Sequence, residues 1–148
     1  MDLIQAELES RFPKLRAARY TITSPSDVRY NCIAWAAGDM QRWWWPHRQS
    51  PFAYWPPTVA RIMDLQAFVA AFATLGYAAC ADGKLEPGFQ KVALFADAQG
   101  KATHAAKQLP DGRWSSKLGP HEDISHTIYG LEHGEYGDVV QYMKRRVP

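Results

Sequence analysis

The chain has 148 residues, 47% hydrophobic and 22% charged, which excludes a disordered protein and predicts a single domain, residues 1–148, with enough length to bury a core. Basic residues number 17 and acidic residues 15, a formal charge of +2, so no nucleic-acid partner is expected, because tracking phosphates needs a dense basic face. No apolar run approaches the roughly 18 residues of a membrane span, so no membrane partner is expected either.

The opening Met1-Asp2-Leu3-Ile4-Gln5 is acidic and amphipathic, unlike a secretory signal, and a cytoplasmic setting is expected. Residues 2–12 place Leu3, Ile4, Leu8 and Phe12 at helical spacing until Pro13 ends the run. Tyr20 to Thr23 predicts a short β-branched strand, and Ser24-Pro25-Ser26-Asp27 a turn. Asn31 to Gly38 predicts a short helix, with Asn31 as N-cap, Gly38 just past its end and Cys32 in its first turn. Aromatic content is high at 13%, and five of the six Trp lie from Trp35 to Trp55. Trp43-Trp44-Trp45-Pro46 and Tyr54-Trp55-Pro56-Pro57 carry too much proline for a helix or an interior strand, so residues 41–57 predict an ordered loop pinned by large rings.

Residues 61–75 form the strongest helical pattern, with Leu65, Phe68, Val69, Phe72 and Leu75 on one stripe and Gly76 closing it. After Asp82-Gly83 the chain becomes strand-like. Residues 92–96 are an apolar strand, Asp97 to Gly100 a four-residue turn, and Thr103 to Leu109 the return strand. Asp111-Gly112 predicts a two-residue turn into Arg113 to Lys117. The segment from Tyr136 to Val147 fits either period. Helices thus precede an antiparallel meander, which predicts an α+β fold with the N-terminal helices packed on one face of an antiparallel sheet.

Cys32 and His104 combine reactive chemistry with informative placement. A thiol in a helical first turn feels the positive end of the dipole, which lowers its pKa, and a nucleophilic Cys needs a base within hydrogen-bond reach. Pairing Ala96 with Lys101 sets Ala93 opposite His104, a small neighbour that leaves room for the thiol. The two-residue turn sets Gln108 opposite Ser115, so that His104, Ala106, Gln108, Ser115 and Lys117 share a face. Ser115 or Gln108 is then placed to orient the imidazole. The backbone N–H of Cys32, with the Asn31 side chain, is the candidate oxyanion hole. Cys32 and Cys80 are expected to be reduced thiols.

Four strings resemble a small bacterial family without an assigned function: Asn31-Cys32-Ile33-Ala34-Trp35-Ala36, Lys91-Val92-Ala93-Leu94-Phe95-Ala96, His104-Ala105-Ala106-Lys107-Gln108-Leu109 and Trp114-Ser115-Ser116-Lys117-Leu118-Gly119. The order of a Cys on a helix, a His on a strand and a polar residue on the next strand is similar to papain-like hydrolases. Bacterial cell-wall amidases and peptidases of the NlpC type are the nearest of these in size. That resemblance implies a papain-like fold and a cysteine-dependent hydrolase or acyl-transferase acting on an amide or ester of a small molecule or peptide. Cys32 would be the nucleophile, His104 the base and Ser115 a third member. In many of those enzymes the His opens its strand, whereas His104 follows Ala102-Thr103.

Plainer readings stand beside this one. Cys32 sits in an apolar context that suits a core residue. His126 is a rival base to His104. His121, Asp123, His126 and His133 match no metal motif, and Glu122-Asp123 fits a helix N-terminus, so neither metal nor cofactor is expected. Trp43, Trp44, Trp45 and Trp55 suit the wall of a substrate cleft, or the brace of a proline loop, with at least one of the run of three exposed. The alternative function is a non-enzymatic binding module, a toxin-neutralising or adaptor protein, that presents this loop to a protein partner. A third is a sugar- or peptidoglycan-binding domain.

Overall fold

The computed structural model describes residues 3–47, 53–118 and 121–147. Among the described residues, seven antiparallel strands form one sheet in the order β1-β6-β5-β4-β3-β7-β2. They are β1 (Thr21–Ser24), β2 (Ala78–Cys80), β3 (Phe89–Ala96), β4 (Ala102–Gln108), β5 (Trp114–Lys117), β6 (Asp123–His126) and β7 (Asp138–Arg146). Five helices accompany them among the described residues: α1 (Leu3–Arg11), α2 (Leu15–Ala18), α3 (Cys32–Ala37), α4 (Leu65–Ala73) and α5 (Ile128–Leu131). The fold is therefore α+β, dominated by its sheet.

The helices do not share one face. Alternation along β3 divides the core: Val92 and Leu94 pack with α3, α4 and the Trp-rich loop, whereas Ala93 and Phe95 pack with Leu8 and Phe12 of the N-terminal region, Leu15 of α2 and Leu131 of α5. The sheet is thus the middle layer of three. Helix α1 is shorter in effect than its pattern suggests, because Leu3 and Ile4 are exposed and only Leu8 and then Phe12 are buried. Helix α4 begins at Leu65 rather than 61, since the Asp64 side chain caps Ala67 N and the Met63 carbonyl accepts from Ala102 N. Its Phe68 and Phe72 enter the core.

Two turns set the register of the central strands. After β3, Asp97 pairs with Lys101 around Ala98-Gln99-Gly100, with Gly100 at φ +81, and a bulge follows. Phe95, not Ala93, therefore lies opposite His104. After β4, Leu109 pairs with Arg113 around Pro110-Asp111-Gly112, with Gly112 at φ +89. This turn has three residues where two were expected, so Gln108 faces Trp114 and Lys107 faces Ser115. A slip of one residue turns every side chain of β5 to the other face. Ser115 and Lys117 therefore lie on the α3 face, and Ser116 joins His104 on the α1 face.

Residues 123–126 form a strand, not a helix start, and β7 resolves the ambiguous 136–147 segment as the neighbour of β3. Gly137 permits that approach: at φ +76, its position would put an added Cβ 2.2 Å from the Ala96 carbonyl oxygen. Among the described residues no helix is long and apolar enough to cross a membrane.

Candidate functional site

Helix α3 forms as its sequence predicts. The Asn31 Oδ1 accepts from Ala34 N, and Gly38 adopts φ +87 past the last turn. The same Oδ1 accepts from Trp44 N, and Nδ2 donates to the Trp44 carbonyl at 2.7 Å. Asn31 is thus a buried clamp between α3 and the Trp-rich loop, and not an oxyanion donor. Cys32 is buried on the α3 face, its thiol against the Ala105 backbone. Burial pushes that thiol up to about 11, overriding the nearby backbone N–H groups that act in the other direction. Cys32 and Cys80 are both free thiols.

His104 is sealed on the opposite face. Its ring stacks on Tyr136 at 4.1 Å and meets Phe95 edge-on, both within the α1-side core. The imidazole contacts Ser116 rather than a thiol: Nε2 is 2.9 Å from Ser116 Oγ, and Nδ1 has no hydrogen-bond partner. The sheet therefore separates Cys32 from His104, and Ser115 lies on the side away from the imidazole. Gln108 also fails to orient His104, since its amide donates to the Gly83 carbonyl.

The His104–Ser116 contact belongs to a longer chain. Ser116 Oγ is 2.7 Å from His126 Nε2, and His126 Nδ1 is 2.6 Å from the Thr127 carbonyl. A carbonyl only accepts, so His126 carries its proton on Nδ1 and its Nε2 accepts from the serine. Ser116 in turn accepts from His104 Nε2–H, which leaves His104 Nδ1 bare. Burial drives His126 down to about 4, and burial together with His126 holds His104 well below its usual range. A serine donating to a neutral imidazole has the hydrogen-bond sense of a nucleophile and its base. All three side chains are nevertheless fully enclosed, so no substrate reaches them.

On the other face, where α3 meets the β1–β6 edge, polar groups border open space. A cleft of about 330 Å³ is walled by Ser24, Tyr30, Trp35, Met40, Leu109 and Ser115, with Thr23 and Asp123. Asp123, only 3% exposed, accepts through Oδ2 from Tyr30 OH at 3.0 Å and from Ser24 Oγ at 2.5 Å, while Oδ1 has no partner. Burial first and this bond second push the Tyr30 phenol up to about 12. Trp35 donates its indole N–H to Ser115 Oγ at 3.0 Å and stacks on Tyr30 at 5.7 Å. Lys107 Nζ lies 3.6 Å over Trp35, and Lys117 Nζ lies 5.1 Å over Tyr30. Burial lowers the pKa of both lysines, and Asp123 opposes that shift. None of Asp123, Tyr30, Trp35 and Lys107 follows from motif spacing. The sequence signal for a strand at Asp123 is the alternation of Asp123-Ile124-Ser125-His126, which competes with the helix-start pattern of Glu122-Asp123.

The Trp-rich loop is mainly a brace. Trp44 and Trp55 are buried, while Trp43 and Trp45 are half-buried, so none of the run stands fully exposed. Trp45 and Trp55 both meet Phe68 edge-on, Trp44 meets Tyr54, and Trp44 donates its indole N–H to Asp39. Arg42 lies 3.7 Å over Tyr54. A broader depression of about 540 Å³ beside Trp44 contains Asp39, whose carboxylate is already bonded to Arg42, Trp44 and Gln41. Asp123 and His126 point to opposite faces, and among the described residues no group of three or more His, Cys, Asp or Glu is placed to hold a metal ion.

A family model described as a domain of unknown function, DUF7689, matches residues 21–144, and the chain belongs to that family. No curated protein and no solved structure matches it.

Proposed function

We propose that this domain is a non-catalytic binding module whose ligand seats in the cleft between α3 and the β1–β6 edge. The observation that carries this reading is the division made by β4, where Ala105 faces the Cys32 thiol and His104 faces the opposite core. A papain-like hydrolase or acyl-transferase would need thiol and imidazole on one side, in contact and open to substrate. The cleft, by contrast, combines an aromatic wall with a few convergent polar groups, the usual make-up of a small-ligand site. Its contacts come from Tyr30, Trp35 and Ser115 rather than from the Trp43–Trp45 run. Two free thiols suit a reducing compartment, and the cytoplasm is part of this proposal.

The test is exposure of the protein to activated acyl esters and peptide esters, followed by intact-mass and peptide mapping. The expected result is no thioester on Cys32 and no turnover above buffer. An acyl adduct on Cys32, lost in Cys32→Ala, would overturn the binding reading.

A further inference from the structure

The β2 side of the sheet ends in a notch. Strand β7 runs from Asp138 to Arg146, but β2 pairs with it only from Tyr142 to Lys144. Among the described residues, β3 is the single neighbour of residues 138–141. Val140 falls outside even that register, since Gln141 lies opposite Leu94 and Val139 opposite Phe95. The chain leaves the edge after Cys80. Lys91 Nζ donates to the Asp82 carbonyl at 3.1 Å, and Gly83 packs against the rings of Tyr142 and Trp114, where an added Cβ would come 2.6 Å from Tyr142. Both rings belong to the α1-side core, so segment 82–83 is drawn onto that face. A cleft of about 350 Å³ is left beyond the end of β2, lined by Cys80, Ala81, Val139, Val140, Gln141 and Tyr142.

What this cleft offers is main chain more than side chain. Ala81, Val139 and Val140 have no polar side-chain atoms, the Gln141 amide donates to the Tyr142 carbonyl at 2.7 Å, and the Cys80 thiol to the Asp82 carbonyl. A strand turns its N–H and C=O groups to both edges, and no described strand takes those that residues 138–141 turn away from β3. Such an edge is a template for one more strand. The uncovered stretch is about 14 Å long at ~3.4 Å per residue, enough for a short extended segment.

Charge decides the kind of segment. Burial raises the pKa of the Tyr142 phenol, and Glu132 and then Asp82 add to the rise, which sets both carboxylates on this side of the edge. Asp82 is paired with Lys91. Asp138 meets only His133, and Glu132 has no ion-pair partner among the described residues. A second copy pairing through the same stretch would set these carboxylates against their own counterparts, whereas a basic segment complements them.

We propose that this notch is a strand-addition site, where an extended basic segment of a protein partner pairs with residues 138–141 in line with β2 and sets a Lys or Arg side chain toward Asp138 and Glu132. It is a second site, at the opposite end of the sheet from the Trp35 cleft, and stands or falls independently of it. It involves no covalent step.

The experiment follows the amide signals of Ala81 and residues 139–141 in ¹⁵N-labelled protein. The probes are three synthetic peptides, acetylated and amidated at their ends: Lys-Val-Lys-Val-Lys, Glu-Val-Glu-Val-Glu and Lys-Pro-Lys-Pro-Lys. The expected result is saturable shifts of these amides with the first peptide alone, and hydrogen exchange within residues 139–141 slowed roughly tenfold at about ten times its Kd. Glu132→Lys, with its fold checked by the rest of the spectrum, then weakens binding at least about threefold. Unchanged affinity in that variant, or equal or larger shifts from the glutamate peptide, overturns the basic class of partner. Equal shifts from the proline peptide overturn strand pairing, because proline cannot donate to a ladder. No shift with any peptide, or shifts confined to other residues, overturns the site itself. If the same amides shift on dilution of the protein alone, the occupant is a second copy and the basic partner is overturned.

Discussion

Mild acid should destabilise this fold through His126. In the folded protein its imidazole is enclosed, bonded to Ser116 and the Thr127 carbonyl, and titrates at about 4 instead of the ordinary 6.5. Between those values the unfolded chain takes up a proton that the native state refuses, so stability rises with pH there. The contribution is complete above the unfolded pKa and is lost as the pH falls through the folded one. At about 1.4 kcal/mol per unit, the shift has a ceiling of about 3 kcal/mol, of which roughly 2 to 3 kcal/mol is already gone at about pH 4.5. His104, displaced in the same direction, adds to the loss. The assay is urea unfolding at a series of pH values between neutral and that point, on wild type and on His126→Gln. The variant should start less stable yet lose less on acidification. A wild-type stability flat from neutral pH down to about 5, or a variant with the full slope, would refute the buried neutral pair.

Other consequences follow from single residues. Asn31→Ala removes the α3 cap and both bonds to Trp44, and should cost about 3 kcal/mol in chemical denaturation, and Asn31→Asp should not rescue it, because a buried carboxylate oxygen would face the Trp44 carbonyl to which the amide donates. Trp44→Ala should cost about 3 to 5 kcal/mol, as for other large core rings, and Trp43→Ala distinctly less, with thermal melts giving the ranking. Gly137→Ala should destabilise severely or prevent folding, because the new methyl strikes the Ala96 carbonyl at a positive φ, while Gly112→Ala should cost about 1 kcal/mol with no steric collision. Equal effects at the two glycines would contradict the packing at the start of β7.

Much of the fold was legible where one local interaction decides the outcome. Asn31 and Gly38 bound α3 as their chemistry requires, and the apolar stripe of Phe68 and Phe72 marks the buried side of α4. The site was less legible, because it depends on parity. Gly112 closes a three-residue turn rather than a two-residue one, and that single residue moves Ser115 and Lys117 to the α3 face and Ser116 to the side of His104. The bulge at Thr103 has a similar effect, setting Phe95 rather than Ala93 opposite His104. The face that a short helix covers was also hidden: Leu8, Leu15 and Leu131 carry no mark that they pack on one side of β3 while Phe68 packs on the other. The place of Asp123 is ambiguous in the sequence, because an acidic residue before an apolar one suits a helix start as well as a strand, and only the pairing with β5 decides.

The central claim is that the sheet separates the Cys32 thiol from any base and buries it. The direct test is the pH dependence of iodoacetamide alkylation of Cys32 in a Cys80→Ser background, read by mass spectrometry on the native protein. A slow reaction whose rate climbs toward a midpoint of about 11 is the predicted result. Fast alkylation with a midpoint below the ordinary ~8.5 of a free thiol would mean an activated, accessible Cys32, and would contradict the account.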